Sequence, residues 1–223
     1  MATARELHEA RCERALVRSM GSPGVPLHLP HGHCLELSSA PGVECGSVLW
    51  EGTHALLSYL GTLPPSFFAG ERVLDLGCGI GGLGLACACF GAASVVLTDH
   101  KPALLKLVLH NINANGKGAR CAAQHLEWGK NGWEAFKSGE AFSPPTLLVG
   151  ADLVYTAEGA ELLCETIACA LAYGGSQQYK MLLSYKERGQ GAVFFSVLAS
   201  SGLACREVST LGDHRVYAIT GRH

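Results

Sequence analysis

The segment VLDLGCGIGG, residues 73–82, joins a short apolar strand to a helix through a turn rich in glycine. Its glycines at 77, 79 and 82 fit the pattern G-x-G-x-x-G. Glycine at these positions allows a sharp backbone turn and leaves no Cβ in the way of a ligand. A strand before the turn and a helix after it are the context in which this pattern indicates nucleotide binding.

An acidic residue completes the pattern. Asp99 ends the next predicted strand, SVVLTD (94–99), 22 residues after Gly77. A carboxylate at that place can accept hydrogen bonds from both hydroxyls of a ribose. Gly77, Gly79 and Asp99 therefore predict a site for a cofactor that contains adenosine.

A second carboxylate helps to choose between two such cofactors. Asp75 lies in the strand, two residues before Gly77. A dinucleotide would place its pyrophosphate on the N-terminus of the following helix, and a carboxylate beside that turn would repel it. The cationic amino group or the sulfonium of S-adenosylmethionine suits Asp75 better, so we favour S-adenosylmethionine.

From residue 72 onward, predicted strands alternate with predicted helices. The strands are RVLDL (72–76), SVVLTD (94–99), RCAAQHL (120–126), TLLVGAD (146–152) and YKMLLSY (179–185). Such alternation is typical of a parallel α/β sheet covered on both faces. The last two strands, ACREVST and HRVYAIT, are joined by a short turn, so we expect an antiparallel hairpin at the sheet edge. The predicted fold is the Rossmann-like, seven-stranded sheet of S-adenosylmethionine-dependent methyltransferases.

The chain before this sheet has a different character. Residues 1–22 read as a charged helix that ends near Gly21, and short apolar runs between 24 and 46 suggest strands or a hairpin. We therefore divide the chain into an N-terminal extension, residues 1–45, and a methyltransferase domain, residues 46–223. The extension is a candidate surface for substrate recognition.

The composition limits the classes of partner. The 223 residues carry a formal net charge of −2, and 48% of them are apolar. The chain can bury a core but lacks the basic surplus that drives strong binding to polyanions, so we expect no nucleic acid partner. Glycines within the uncharged stretch 76–98 argue against a membrane helix. The charged first twenty residues lack an apolar signal core, which predicts a cytoplasmic protein with reduced thiols, and we expect a monomer.

The ten cysteines and ten histidines raise the question of a metal site. The cysteines include no C-x-x-C pair, the spacing typical of thiolate zinc sites. His28, His31 and His33 lie close together, but Pro30 and Gly32 between them are typical of a solvated loop. We predict no bound metal.

Four segments in fixed order make the chain resemble the seven-β-strand protein-lysine methyltransferases of the methyltransferase-like group. They are LWEGTHALLSYL (49–60), VLDLGCGIGGLG (73–84), LEWG (126–129) and GADLVY (150–155). They resemble, in turn, that family's tryptophan-containing helix, its cofactor loop, its short tryptophan motif and its Asp-x-x-Tyr motif. The resemblance covers about residues 46–220. It implies a protein substrate, for example a chaperone or a translation factor.

The resemblance also implies which residues surround the cofactor. Trp50 would border it from the preceding helix, Trp128 would lie against the adenine, and Ala151 would form a small wall. An aromatic face suits the flat, apolar adenine ring. The remaining implied contacts are those of Gly77, Cys78 and Gly79 with the methionine part and of Asp99 with the ribose.

At the substrate, the resemblance implies that Asp152 and Tyr155 line a channel for the target lysine. Asp152 would position the amine or accept its proton, and Tyr155 would narrow the channel. Protein histidine and small-molecule substrates stay open as alternatives, as does a methyltransferase fold that binds partners without catalysis. A base-modifying enzyme is disfavoured, because DLVY lacks the proline of elements that stack a flipped base.

Overall fold

The computed structural model describes residues 4–139, 142–172, 180–187 and 191–221. Its helices are α1 (Ala4–Met20), α2 (Glu51–Leu60), α3 (Gly82–Cys89), α4 (Pro102–Ala114), α5 (Lys130–Lys137), α6 (Ala157–Ala172) and α7 (Gly191–Ser200). Its strands are β1 (Val25–His28), β2 (Cys34–Leu37), β3 (Arg72–Leu76), β4 (Ser94–Asp99), β5 (Cys121–His125), β6 (Leu147–Ala151), β7 (Lys180–Lys186), β8 (Leu203–Leu211) and β9 (His214–Gly221).

Seven strands form one mixed sheet in the order β5-β4-β3-β6-β7-β9-β8. The first five pair in parallel, and β9 pairs antiparallel with both β7 and β8. Helical crossovers between the parallel strands and a short turn between β8 and β9 account for the difference. The predicted fold class is confirmed, including the C-terminal hairpin.

The strands of the sheet divide their side chains between two cores, because successive residues of a strand point to opposite faces. On β6, Leu147 and Val149 pack in the core that includes residues of α2, α3 and α4. Leu148, between them, packs in the core that includes residues of α6 and α7. Helices therefore cover both faces of the sheet and leave its carboxyl edge for loops.

The N-terminal residues form α1 and a two-stranded sheet, which pack on the face of the main sheet that α2, α3 and α4 cover. β1 and β2 pair antiparallel as the predicted hairpin, with Leu27 opposite Leu35. Both leucines are buried in the same core as α3 and α4, and α1 packs beside α4. The extension thus contributes apolar side chains to the core of the methyltransferase sheet.

The sequence analysis missed α5, which lies between β5 and β6. The helix has only eight residues, with Gly129 before its first residue and Gly132 inside it, and glycine has a low helix propensity. Packing determines its position: Trp133 is 1% exposed and contacts the rings of Phe136 and Phe142.

The uncharged stretch 76–98 is not one continuous helix. It contains the end of β3, the glycine turn, α3 and most of β4. No helix in the described part of the chain is both long and apolar enough to cross a membrane.

Leu97 on β4 provides a test of the first core. Its side chain is fully buried and lies close under Gly84 of α3. We expect Leu97→Ala to lower the free energy of unfolding by about 2–5 kcal/mol, because the cavity can only partly collapse. Leu109→Ala, on the exposed side of α4, is the matched control and should change it by less than about 0.5 kcal/mol. Equal losses in the free energy of unfolding for the two variants, measured by chemical denaturation, would contradict the assigned packing.

Candidate active site

A cavity of about 480 Å³ opens at the carboxyl ends of β3, β4 and β6. The order of the sheet strands reverses at β3, and open α/β sheets bind ligands in the crevice at such a point. The volume is within the range of small-molecule sites. Nine of the ten predicted site residues line it: Trp50, Asp75, Gly77, Cys78, Gly79, Asp99, Trp128, Ala151 and Tyr155.

The glycine turn needs glycine for conformation and for space. Gly77 and Gly79 have φ values of +60° and +55°, in the left-handed region that favours glycine. A Cβ on Gly79 would lie 2.7 Å from the carbonyl oxygen of Gly46. A Cβ on Gly77 would lie 2.9 Å from Leu153 Cδ2 and 3.2 Å from Trp128 Cζ2. The bare backbone therefore forms one wall of the cavity.

Two hydrogen bonds fix this turn to the neighbouring strand. The Cys78 N–H donates to the Thr98 carbonyl at 2.8 Å, and the Thr98 hydroxyl donates to the Asp75 carbonyl at 2.8 Å. Thr98 is fully buried, so these bonds are shielded from water. They set the distance between the glycine turn and the carboxyl end of β4.

Asp99 ends β4 with its carboxylate facing the turn. Oδ2 accepts from the Gly79 N–H at 3.4 Å, and Oδ1 accepts from the Lys101 N–H at 3.0 Å. His100 Nδ1 lies 3.3 Å from Oδ1, and the hydrogen bond to Asp99 raises the pKa of His100. The carboxylate is held in place and still lines the cavity, as a ribose-binding acid requires.

Asp75 lies deeper, below the first turn of α3. Its Oδ2 accepts from the Gly84 N–H at 2.9 Å, so it caps a helix whose N-cap residue, Gly81, has no side chain. Burial raises the pKa of Asp75 from 3.8 to about 8, while the bond from Gly84 opposes that rise. The group lines the cavity although it is only 1% exposed.

The two predicted tryptophans reach the cavity from different elements of the fold. Trp50 is the N-cap residue of α2, and its Nε1–H donates to the Cys45 carbonyl at 2.8 Å. Trp128 follows β5, and its ring lies against Gly77. Two aromatic faces and a glycine turn therefore meet around one apolar space.

Tyr155 and Asp152 occupy different environments. Tyr155 is 47% exposed and lines the cavity at its outer end. Asp152 is 2% exposed and is not among the described residues that line the cavity. Its Oδ2 accepts from the Gly52 N–H at 3.0 Å and lies 3.2 Å from His214 Nε2. Its φ of +54° turns the chain directly after β6.

Sequence reasoning missed several residues of the cavity wall. His100 and Lys101 follow Asp99 directly, and their position at the carboxyl end of a parallel strand was the available signal. Four further lining residues carry no such signal, since tertiary packing brings them to the site: Cys45, Gly46, Leu104 and Leu162.

The residues present fit S-adenosylmethionine. The glycines of the turn line the cavity with backbone alone, Asp99 provides a fixed carboxylate, and Trp128 provides an aromatic face. Together with the seven-stranded sheet and its terminal hairpin, this site defines the class of S-adenosylmethionine-dependent methyltransferases.

Within that class, the chain belongs to the lysine methyltransferase family, whose model matches residues 31–201. It is 31% identical over 124 residues to protein N-lysine methyltransferase METTL21A of Danio rerio, covering 54% of this chain and 53% of the relative. It is 27% identical over 208 residues to the calmodulin-lysine N-methyltransferase of Arabidopsis thaliana, covering 88% and 62%. The chain thus spans about half to three fifths of these relatives' lengths.

The fold is also that of solved methyltransferases. The T. thermophilus 16S rRNA N2 G1207 methyltransferase (RsmC), crystallised with AdoMet and guanosine, matches with a TM-score of 0.63 at 18% identity. The match covers 91% of this chain and 51% of that one.

The raised pKa of Asp75 predicts how stability depends on pH. The unfolded chain loses this proton near pH 4 and the folded chain near pH 8, so the free energy of unfolding falls as pH rises between them. Asp75→Asn has no such proton, and we expect its stability relative to the natural chain to increase from pH 4 to pH 8. Chemical denaturation at several pH values measures this difference. Parallel profiles for the two proteins would contradict the assigned pKa.

Proposed function

We propose that this protein transfers the methyl group of S-adenosylmethionine to a lysine side-chain amine of a protein substrate. One observation carries the proposal: a single cavity runs from Asp99 and the glycine turn to the exposed Tyr155. A small molecule can therefore bind at the inner end while a side chain of another protein enters at the outer end. Membership of the lysine methyltransferase family supports the choice of amine.

The inner end would hold the cofactor through the residues predicted for it. Asp99 would accept hydrogen bonds from the ribose, and Trp128 would lie against the adenine. Gly77, Cys78 and Gly79 would contact the methionine part. Its ammonium group would favour the charged form of Asp75 and so lower that residue's pKa from about 8. When bound, S-adenosylmethionine supplies an electrophilic methyl group.

The outer end would prepare the lysine. A nucleophilic amine must lose its proton, and lowering a lysine pKa from about 10.4 to 7 corresponds to about 4–5 kcal/mol. The apolar walls given by Ala151 and Leu153 disfavour the charged form of the amine by desolvation. Tyr155 would narrow this end and accept a hydrogen bond from the amine.

Asp152 would act mainly by shaping this end of the cavity. Its carboxylate holds the first turn of α2 through Gly52, and Trp50 on that turn lines the cavity. To accept a proton from the amine, this buried carboxylate would have to be reached from the cavity, whose described lining does not include it. We therefore propose positioning as its first role and proton acceptance as its second.

The substrate class and compartment form the last part of the proposal. Relatives named for calmodulin and for protein N-lysine methylation support a protein partner. The ten cysteines are free thiols, which supports a reducing compartment such as the cytoplasm. Chaperones and translation factors are the first candidates to assay.

Asp99 provides a test of cofactor binding. Replacing it with asparagine removes the charge from a hydrogen-bond acceptor for the ribose, so we expect the Kd for S-adenosylhomocysteine to rise by about tenfold or more. The control is Asp213→Asn, at a side chain that is 78% exposed and far along the chain from the turn. Calorimetric titration measures both, and an unchanged Kd for the Asp99 variant would contradict the assigned role.

Methyl transfer is tested with labelled S-adenosylmethionine and a lysate of the protein's own cell type. We expect one discrete labelled protein whose acid hydrolysate contains methyl-lysine. Tyr155→Ala and Asp152→Ala should both lose the label, and Tyr155→Ala should keep cofactor affinity within about threefold, since Tyr155 is not assigned to the cofactor. Leu211→Ala, exposed on β8, should retain full labelling.

The other outcomes of this experiment identify the alternatives. Methyl-histidine in the hydrolysate would favour a protein-histidine enzyme. Cofactor binding without any labelled protein would favour a small-molecule substrate or a binding protein without catalysis.

A further inference from the structure

Residues 38–47, here called the strap, run from the end of β2 to the cavity. Ser47 closes the strap on itself: its N–H donates to the Glu44 carbonyl, and its carbonyl accepts from the Ala40 N–H at 2.8 Å. Its buried hydroxyl donates to the Ala40 carbonyl at 2.7 Å. The strap then supplies Cys45 and Gly46 to the cavity wall.

The strap contacts the glycine turn directly. The carbonyl oxygen of Gly46 lies 2.7 Å from the position that a Cβ on Gly79 would take. Glu44 of the strap forms an ion pair with Lys101, the residue whose N–H binds Asp99. Any displacement of the strap would therefore change the wall beside the turn and beside Asp99.

One fully buried side chain joins the strap to the turn. Asn111 of α4 accepts from the Ser38 N–H at 2.9 Å and donates to the Ser38 carbonyl at 3.1 Å. Its amide also donates to the carbonyl of Ile80, inside the glycine turn, at 2.9 Å. Both amide hydrogens and the amide oxygen are thus engaged, and an unpaired buried polar group would be costly.

The bond to Ile80 reaches a peptide in the middle of the glycine turn. Ile80 lies between Gly79 and Gly81, which both have positive φ, the latter at +87°. In the peptide between Ile80 and Gly81, the Gly81 N–H donates to the Cys78 carbonyl at 2.8 Å, within the turn. The oxygen of this peptide accepts from Asn111, which therefore ties the peptide to α4.

We propose that Asn111 is a positioning residue for the cofactor site, which holds the glycine turn and the strap in one arrangement. The inference rests on the proposed cofactor, S-adenosylmethionine, and adds a role for the N-terminal extension. Binding at the turn and ordering of the strap are then coupled, and each favours the other by the same factor.

Asn115 offers a matched control on the same helix, one turn later. It accepts from the Glu36 N–H at 2.9 Å and donates to the Glu36 carbonyl at 2.8 Å. It also donates to the Asn111 carbonyl at 2.8 Å, at the C-terminal end of α4. Asn115 therefore holds the backbone of β2 in the way that Asn111 holds the backbone of the strap. Unlike those of Asn111, these bonds of Asn115 do not reach the glycine turn.

The test measures calorimetric binding of S-adenosylhomocysteine to Asn111→Asp, Asn111→Ser and Asn115→Asp in the full chain. We expect the Kd to rise about tenfold for either Asn111 variant, because one hydrogen bond at the turn is lost. For Asn115→Asp we expect the Kd to rise less than twofold. Equal weakening by the Asn115 variant, or a Kd within twofold of the natural chain for Asn111→Ser, would overturn the proposal.

Hydrogen exchange tests the coupling between the cofactor site and the strap directly. Saturating S-adenosylhomocysteine should slow exchange of the strap amides, Ser38 included, and this added protection should be lost in Asn111→Ser. Unchanged protection of the strap in the natural chain on binding would overturn the inference. Failure of the natural chain to bind the compound at all would instead overturn the proposed function.

Discussion

The hydrogen bond from the Cys78 N–H to the Thr98 carbonyl holds the glycine turn on the end of β4, and the geometry of the site depends on it. It brings the bare backbone of the turn within reach of Asp99, whose Oδ2 accepts from Gly79. Thr98 extends the connection to β3 through its hydroxyl. Two adjacent parallel strands thus fix both parts of a cofactor site, and their register leaves little freedom between them.

Around this fixed centre, the other elements of the site are held by side chains from distant parts of the chain. Asp152 holds the start of α2 across 100 residues of sequence, and Asn111 holds the strap and the turn. Both are nearly or completely buried, with their polar atoms engaged. In each case a loop at the carboxyl edge is attached to a neighbouring element by a buried polar group, which gives a unique arrangement that apolar packing alone would not specify.

The strands and the glycine turn could be predicted from the sequence because local interactions determine them. The strand 94–99 has the predicted bounds, and the glycines with Asp99 meet at one edge because the carboxyl ends of parallel strands coincide. The resemblance to a family added Trp50, Trp128, Ala151 and Tyr155, which line the cavity but carry no decisive local signal.

The remaining features could not be read from local sequence, because they are tertiary. Packing of Trp133 determines α5, and a contact between Gly46 and Gly79 brings the strap to the site. The carboxylate of Asp152 faces Gly52 and His214, although the residue follows β6 at the edge where the cavity opens.

A crystal structure of the chain with S-adenosylhomocysteine tests the central claim most directly. The account predicts the ribose hydroxyls within hydrogen-bond distance of Asp99, the adenine against Trp128, and the sulfur facing the end of the cavity at Tyr155. A ligand bound elsewhere, or a ribose directed away from Asp99, would contradict the assignment of this edge of the sheet as the cofactor site.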